Sequence, residues 1–179
     1  LEQLDAALAQ GGAVAVGEIG LDHFVPDRDE ALQEAFFVAQ LKLARKHDLP
    51  VILHVRRAVD AILKQLRRYP VQGGIAHAFN GSVQQAEQFI ALGFKLGFGG
   101  AMTYSGSRRI RSLAAALPLS ALVLETDAPD IQPAWSAGGR TEPMDILRYA
   151  QILAGLRNIS VAEVIAVTGE NARQVLNLG

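Results

Sequence analysis

Apolar residues along the chain occur either as short unbroken runs or at helical spacing. The short runs predict strands, at residues 13–17, 51–53, 73–76, 94–98 and 122–124. Apolar residues at intervals of three or four predict helices at 1–10, 27–47, 58–69 and 107–116, and from about 82, 143 and 160 onward. No linker, low-complexity segment or internal sequence repeat separates these elements, so the sequence predicts a single domain over residues 1–179.

The longest predicted helix, residues 27–47, has acidic residues early and basic residues late, as the helix dipole favours. Its helically spaced apolar residues predict the face that packs on the sheet: Leu32, Phe36, Ala39, Leu43 and Ala44. Leu1, Leu4 and Leu8 form a comparable stripe on the first predicted helix. Both helices are therefore expected to be amphipathic.

Strands that alternate with helices predict an α/β fold in which helices cover a parallel sheet. Such a sheet is either open and doubly wound or closed as a (β/α)8 TIM-like barrel. In a barrel, the active site lies at the carboxyl ends of the strands, and several strands each contribute one catalytic group. The polar residues that end the predicted strands have this distribution, which favours part of a barrel.

Four predicted strands lead into a side chain that can bind a metal ion: Glu18, His54, His77 and Asp127. Pro129 stops the last strand and holds Asp127 on a stiff corner. Each residue also has an ordinary structural explanation, as a turn residue, a salt-bridged carboxylate or a hydrogen-bonded histidine. Their recurrence at equivalent positions in four strand-helix units favours a common site.

Two imidazoles and two carboxylates suit zinc, and also manganese or magnesium when a phosphate completes the coordination shell. A carboxylate can bridge two ions, and Glu18 is the preferred bridge because nearby glycines let the backbone approach closely. Four ligands are few for two ions. His23 and His47 do not lie at the end of a predicted strand, and we interpret both as structural.

Composition and charge narrow the class of protein. The 179 residues include no cysteine, which excludes disulfide scaffolds, thiol catalysis and cysteine-bound zinc. A net charge of −1 argues against a broad basic face for nucleic acid, although a few local phosphate contacts remain compatible with it. No apolar run approaches the roughly 18 to 20 residues of a membrane span, so the cytoplasm is the predicted compartment and no membrane partner is expected.

Five short motifs resemble, in order and spacing, those of the TatD-type metal-dependent deoxyribonucleases. They are Gly-Glu-Ile-Gly-Leu-Asp at 17–22, Leu-His-Val-Arg at 53–56, His-Ala-Phe-Asn-Gly at 77–81, Glu-Thr-Asp-Ala-Pro at 125–129 and Arg-Thr-Glu-Pro at 140–143. Each motif alone is weak to moderate, but together they extend over the whole chain. Thr141 stands where the family usually has asparagine.

The resemblance implies a fold similar to the amidohydrolase barrels and hydrolysis of phosphodiester bonds in DNA, single-stranded DNA in particular. It implies two divalent ions (Zn, Mg or Mn) in the intact enzyme, with Glu18 as the bridging ligand. His54 and His77 would bind one ion and Asp127 the other. Asp127 and Glu18 are thereby the implied catalytic residues, and Arg56 is expected near substrate phosphate.

One family motif is missing, since the His-x-His-x-Asp of the first strand does not occur in this sequence. The chain is also shorter by roughly 70 residues than a typical (β/α)8 barrel. These two observations predict the C-terminal five or so strand-helix units of a barrel. The site of Glu18, His54 and His77 would then be whole and the site that includes Asp127 incomplete, so that this chain binds one ion or none.

Two alternatives remain open at the level of sequence. The same barrel and ligands could hydrolyse an amide, a lactone or an aminoacyl ester, because neither fold nor ligand set chooses the bond. The chain could instead be an inert fragment, or an assembly module that self-associates through exposed sheet edges. We interpret the basic cluster Arg108, Arg109 and Arg111 as a solvated helix face, with contact to a substrate strand as the alternative.

Overall fold

The computed structural model describes residues 1–136 and 138–179. A sheet of five parallel strands lies at its centre, in the order β1 (Val16–Asp22), β2 (Val51–Arg56), β3 (Gly74–Ala76), β4 (Phe94–Phe98) and β5 (Leu122–Leu124). A doubly wound sheet reverses its strand order at a switch point, whereas this sheet follows chain order throughout, as in a (β/α) barrel. The predicted barrel-type α/β fold is confirmed.

Helices precede, connect and follow the strands. They are α1 (Glu2–Ala9), α2 (Glu30–Lys46), α3 (Val59–Arg68), α4 (Val83–Ala91), α5 (Arg108–Ala116), α6 (Ile146–Arg157) and α7 (Val161–Val175). Single 3₁₀ turns occur at Gly100–Thr103, Leu119–Ala121 and Pro143–Asp145. The predicted N-cap Ser82 is confirmed, because its side chain accepts a hydrogen bond from the Gln85 amide at 3.1 Å.

The hydrophobic core lies between the sheet and the helices. Leu53, Leu96 and Leu122 from three strands are fully buried, as are Phe37 and Phe89 from two of the helices. Strands covered in this way consist of nearly continuous apolar residues, which is why the short runs in the sequence predicted them. The helical cover leaves the carboxyl ends of the strands as the place where polar side chains can gather.

The predicted core face of α2 was partly wrong. Leu32 and Phe36 are 53% and 49% exposed, whereas Phe37, Leu41 and Ala44 are completely buried. The helix carries two adjacent apolar stripes offset by about one residue, and helical spacing alone does not identify the stripe that faces the sheet. In the first helix, likewise, Leu8 is buried while Leu1 is 53% exposed.

The first strand begins later than predicted and extends further. Residues 13–17 were predicted, but β1 starts at Val16 and continues to Asp22, because it pairs with β2 from Ile19 opposite Leu53 to Asp22 opposite Arg56. The register is irregular between Val16 and Ile19. Glu18 therefore lies within β1 rather than after it, and His54 likewise lies within β2.

Across residues 1–136 and 138–179, no single helix combines the length and apolarity needed to cross a membrane. The segment Pro143–Arg157 and the helix Val161–Val175 satisfy the length and composition criteria only as a pair, which is bent by 111°.

Candidate metal centre

Glu18, His54 and His77 converge at the carboxyl edge of the sheet, from β1, from β2 and from directly after β3. Each offers one ligand atom, and these atoms lie within 4.8 Å of one another. The Glu18 carboxylate faces both imidazoles, with Oε2 3.7 Å from His54 Nδ1 and Oε1 3.7 Å from His77 Nε2. We call these three residues the triad. The structure thus brings together the residues predicted for the whole metal site.

The alternation of side chains along the strands explains why the triad forms. Residues 18, 20 and 22 of β1 point to one face, as do residues 54 and 56 of β2. The parallel register sets Gly20 beside His54 and Asp22 beside Arg56. Gly20 lets β1 approach the backbone of His54 closely, because a Cβ atom at position 20 would overlap the His54 carbonyl. The His54 imidazole lies between the carboxylates of Glu18 and Asp22.

Asp22 holds the second nitrogen of His54. Its Oδ2 lies 3.1 Å from His54 Nε2, and its Oδ1 accepts a hydrogen bond of 2.8 Å from the Phe24 amide. Burial raises the pKa of Asp22, but the Phe24 amide, His54 and Arg56 outweigh this effect and lower it below its usual value. The carboxylate thereby turns His54 Nδ1 toward Glu18, a role typical of residues behind metal ligands.

Glu125 plays the corresponding role for His77. Its Oε1 lies 3.3 Å from His77 Nδ1 and also accepts a hydrogen bond from the Ala78 amide, which leaves His77 Nε2 facing Glu18. Sequence reasoning assigned no role to Glu125 or to Asp22. For Asp22 the available signal was spacing, because it lies four residues from Glu18 on the same strand and so projects to the same side. Glu125 gave no such signal, because it follows β5 and is not part of the strand.

The negative charges around His77 change its protonation. Burial of the imidazole lowers its pKa, but contact with Glu125 and the charges of Glu125, Glu18 and Asp127 outweigh burial and raise the pKa to about 9. Because this value is above the ordinary 6.5, protonated His77 stabilises the metal-free fold fully below pH 6.5. That stabilisation is lost as the pH rises through about 9.

Asp127 lies at the edge of the triad. Its Oδ2 is 3.9 Å from His77 Nε2, and its side chain is 33% exposed. It is not among the three residues whose ligand atoms lie within 4.8 Å of one another. The structure therefore brings Asp127 beside the triad without making it a fourth member, and its role as a ligand of a second ion stays a prediction.

The triad opens into a cleft of about 960 Å³. Arg56 lies at its rim, 52% exposed, with its guanidinium 3.8 Å from the centre of the Phe24 ring. The neighbouring Arg57 also lines the cleft, with its guanidinium 4.6 Å from the same ring. The residue predicted to contact phosphate thus lies in the same opening as the triad.

The predicted basic cluster does not act as one solvated face. Arg111 is partly buried and donates a 3.0 Å hydrogen bond to the Met102 carbonyl, so for this residue the prediction was wrong. Arg109 lines the cleft and contacts Asn80.

The structural interpretation of His47 is confirmed, because its Nε2 lies 2.6 Å from Asp5 Oδ1, away from the cleft.

The triad fits a divalent metal ion by its donor set. Two imidazole nitrogens and a carboxylate are ligands that zinc, manganese and other first-row ions share. The charges that raise the pKa of His77 show that the site favours a positive charge at this point. Asp22 and Glu125 hold the outer nitrogens of the two histidines, as carboxylates do behind metal-bound histidines.

A barrel-type parallel sheet with this triad at its carboxyl edge defines a metal-dependent hydrolase. The sequence model of the family described as "TatD related DNase" matches residues 1–177. The chain belongs to this family.

Two bacterial relatives are named as metal-dependent hydrolases. YjjV of Escherichia coli K12 is 42% identical over 181 residues, which cover 99% of this chain and 70% of the relative. A Haemophilus influenzae protein is 42% identical over 168 residues, covering 91% of this chain and 64% of the relative. The crystal structure of the TatD homologue YjjV superimposes with a TM-score of 0.95 at 41% identity, covering 99% of this chain and 70% of that one.

Replacement of Glu125 by glutamine is expected to weaken metal binding while the fold persists. The amide keeps the size of the side chain but removes the negative charge that favours a cation at His77, so we expect affinity to fall by roughly 10- to 100-fold. In the metal-free protein, NMR titration should give a His77 pKa lower than in the wild type. Unchanged metal affinity together with an unchanged His77 titration would contradict the role assigned to Glu125.

Proposed function

We propose that the whole protein hydrolyses phosphodiester bonds in DNA, single-stranded DNA in particular. The observation that carries this proposal is a cleft in which Arg56 and Arg57 accompany the histidines of the triad. Guanidinium groups form paired, charge-assisted hydrogen bonds with phosphate oxygens, and a neutral amide or ester offers no such anion. The description of the family as DNases supports the same substrate class.

In this proposal, Glu18, His54 and His77 bind one divalent ion. The ion would supply Lewis acidity, which offsets negative charge on a phosphate and favours deprotonation of water. A second ion would be held by Glu18 together with Asp127, because a carboxylate has two oxygens and Asp127 lies beside the triad.

We assign the proton transfer to Asp127. Its carboxylate lies 3.9 Å from His77 Nε2 and is one-third exposed, so it can accept a proton from a water molecule that approaches the triad. Arg56 is assigned to a non-bridging phosphate oxygen. Its guanidinium is held over Phe24 and near Asp22, which limits the entropy lost when it binds an anion.

The test compares substrates for the same protein preparation with Mg²⁺, Mn²⁺ or Zn²⁺. We expect turnover of a single-stranded oligonucleotide and none of matched amides, lactones or aminoacyl esters. Asp127→Asn should lower kcat on the oligonucleotide by roughly 100-fold or more, which separates the activity from a contaminating nuclease. Faster hydrolysis of an amide or ester than of DNA, or full DNase activity in Asp127→Asn, would refute the proposal.

A further inference from the structure

The side chain of Arg109 is fixed in the wall of the cleft without being neutralised. Its Nε and one terminal nitrogen donate hydrogen bonds of 3.2 and 2.7 Å to Asn80 Oδ1. The Asn80 amide is uncharged, and none of the ion pairs within residues 1–136 and 138–179 includes Arg109. The cleft therefore contains a positioned guanidinium that forms no ion pair with the described part of the chain.

Arg109 also keeps donors for a ligand. A guanidinium has five N–H groups, and the contacts with Asn80 use two of them. Other arginines are used differently, since Arg111 donates to the Met102 carbonyl and Arg157 to the carbonyls of Ala114 and Leu117. The hydrogen bonds of those two arginines connect their helices to backbone carbonyls elsewhere in the fold. Within the part of the chain that the structure describes, the hydrogen bonds of Arg109 go to Asn80, whose side chain is itself exposed.

The position of Arg109 in its helix is poorly explained by helix stability. Arg108 and Arg109 are the first two residues of α5, where the helix dipole favours acidic residues and disfavours cations. The preceding residue, Ser107, makes no side-chain capping bond. An anion bound at this helix start would be favoured both by the dipole and by the guanidinium.

The sheet order places cations on two sides of His77, the triad residue that follows β3. Arg56 ends β2, and Arg109 lies in the first turn of α5, the helix that follows β4. A substrate phosphate bound near His77 would therefore have Arg56 on the β2 side and Arg109 on the β4 side. A polynucleotide provides further phosphates along its chain, whereas an isolated phosphodiester provides one.

We propose that Arg109, positioned by Asn80, binds a phosphate of the substrate strand next to the phosphate at the triad. It is thereby a specificity residue that selects polynucleotides over isolated phosphodiesters. This inference rests on the proposed function.

The kinetic test compares a short single-stranded oligonucleotide with bis(4-nitrophenyl) phosphate, which has one phosphate. Arg109→Ala should raise KM for the oligonucleotide by roughly 10-fold, with kcat little changed, and leave kcat/KM for the small diester unchanged. Arg108→Ala removes the same charge one residue away, outside the cleft lining, and should behave as wild type. Asn80→Ala, which frees the guanidinium, should give an intermediate KM.

A binding test without turnover uses the fluorescence anisotropy of a labelled oligonucleotide in the presence of a chelator. The slope of log affinity against log salt concentration should fall by roughly 0.7 in Arg109→Ala, as expected for one lost phosphate contact to a single strand. Arg108→Ala should keep the wild-type slope.

The outcomes distinguish this inference from the proposed function. If the wild type neither binds nor cleaves the oligonucleotide, the proposed function fails and the inference fails with it. If the wild type cleaves DNA but Arg109→Ala keeps its KM and salt slope, the inference alone fails. An equal loss on both substrates, or the same loss in Arg108→Ala, would show a general effect on fold or charge and would also overturn it.

Discussion

Replacement of His77 by alanine is expected to abolish metal binding at the triad and to reduce hydrolysis by at least about 100-fold. His77 is the residue on which the site converges, because its two nitrogens face Glu18 and Asp127 on one side and Glu125 on the other. Without the imidazole, these carboxylates repel one another. The measurements are metal content per chain and titration calorimetry with Zn²⁺ and Mn²⁺, followed by turnover of the oligonucleotide.

His23→Ala is the matched control for this substitution. It removes another histidine from the same half of the chain. The backbone amide of His23 donates a hydrogen bond to the Arg56 carbonyl, and the substitution retains this bond. The control should bind metal as the wild type does. Stoichiometric, tight binding by His77→Ala would exclude His77 as a ligand.

Gly20→Ala is expected to destabilise the protein by about 3 kcal/mol, at the upper end of the range for single substitutions. A Cβ atom at position 20 would overlap the backbone carbonyl of His54 on the neighbouring strand. The φ of +157° at Gly20 is also one that side chains rarely allow. Since the overlap is with backbone, a change of rotamer cannot relieve it, and strands β1 and β2 must separate.

The free energy of unfolding should be measured by urea denaturation in the presence of a chelator, so that altered metal affinity does not contribute. Gly106→Ala is the control, because a Cβ at Gly106 meets nothing within 4 Å, and it should change stability by less than about 0.5 kcal/mol. Equal stability of the two variants would mean that the strands adjust without cost at Gly20.

The sequence was sufficient for the five strands and for the residues of the triad because both are marked by local signals. A buried parallel strand needs an unbroken apolar run, and a ligand that ends or interrupts such a run is visible without coordinates. For α2, the choice between the stripe of Phe36 and that of Phe37 depends on where the helix meets the sheet. No local pattern contains that information.

The roles of Asp22 and Glu125, which contact the outer nitrogens of the two histidines, could not be assigned from sequence for a related reason. Glu125 and Asp127 lie two residues apart after the same strand and have similar chemistry. Only their spatial positions separate them, with Glu125 on Nδ1 of His77 and Asp127 beside Nε2. The sequence also could not distinguish Arg109 from the other two arginines of α5, because it does not show which of the three faces the cleft.

The Glu125 carboxylate occupies the space that a side chain at Gly97 would fill, and a Cβ there would overlap it. This coupling has an evolutionary consequence. A mutation that enlarges residue 97 would displace the end of the Glu125 side chain, the partner of His77, so we expect it to occur together with a shorter or different residue 125. The two positions, one within β4 and the other directly after β5, are 28 residues apart in sequence and are expected to vary together while the candidate metal centre is retained.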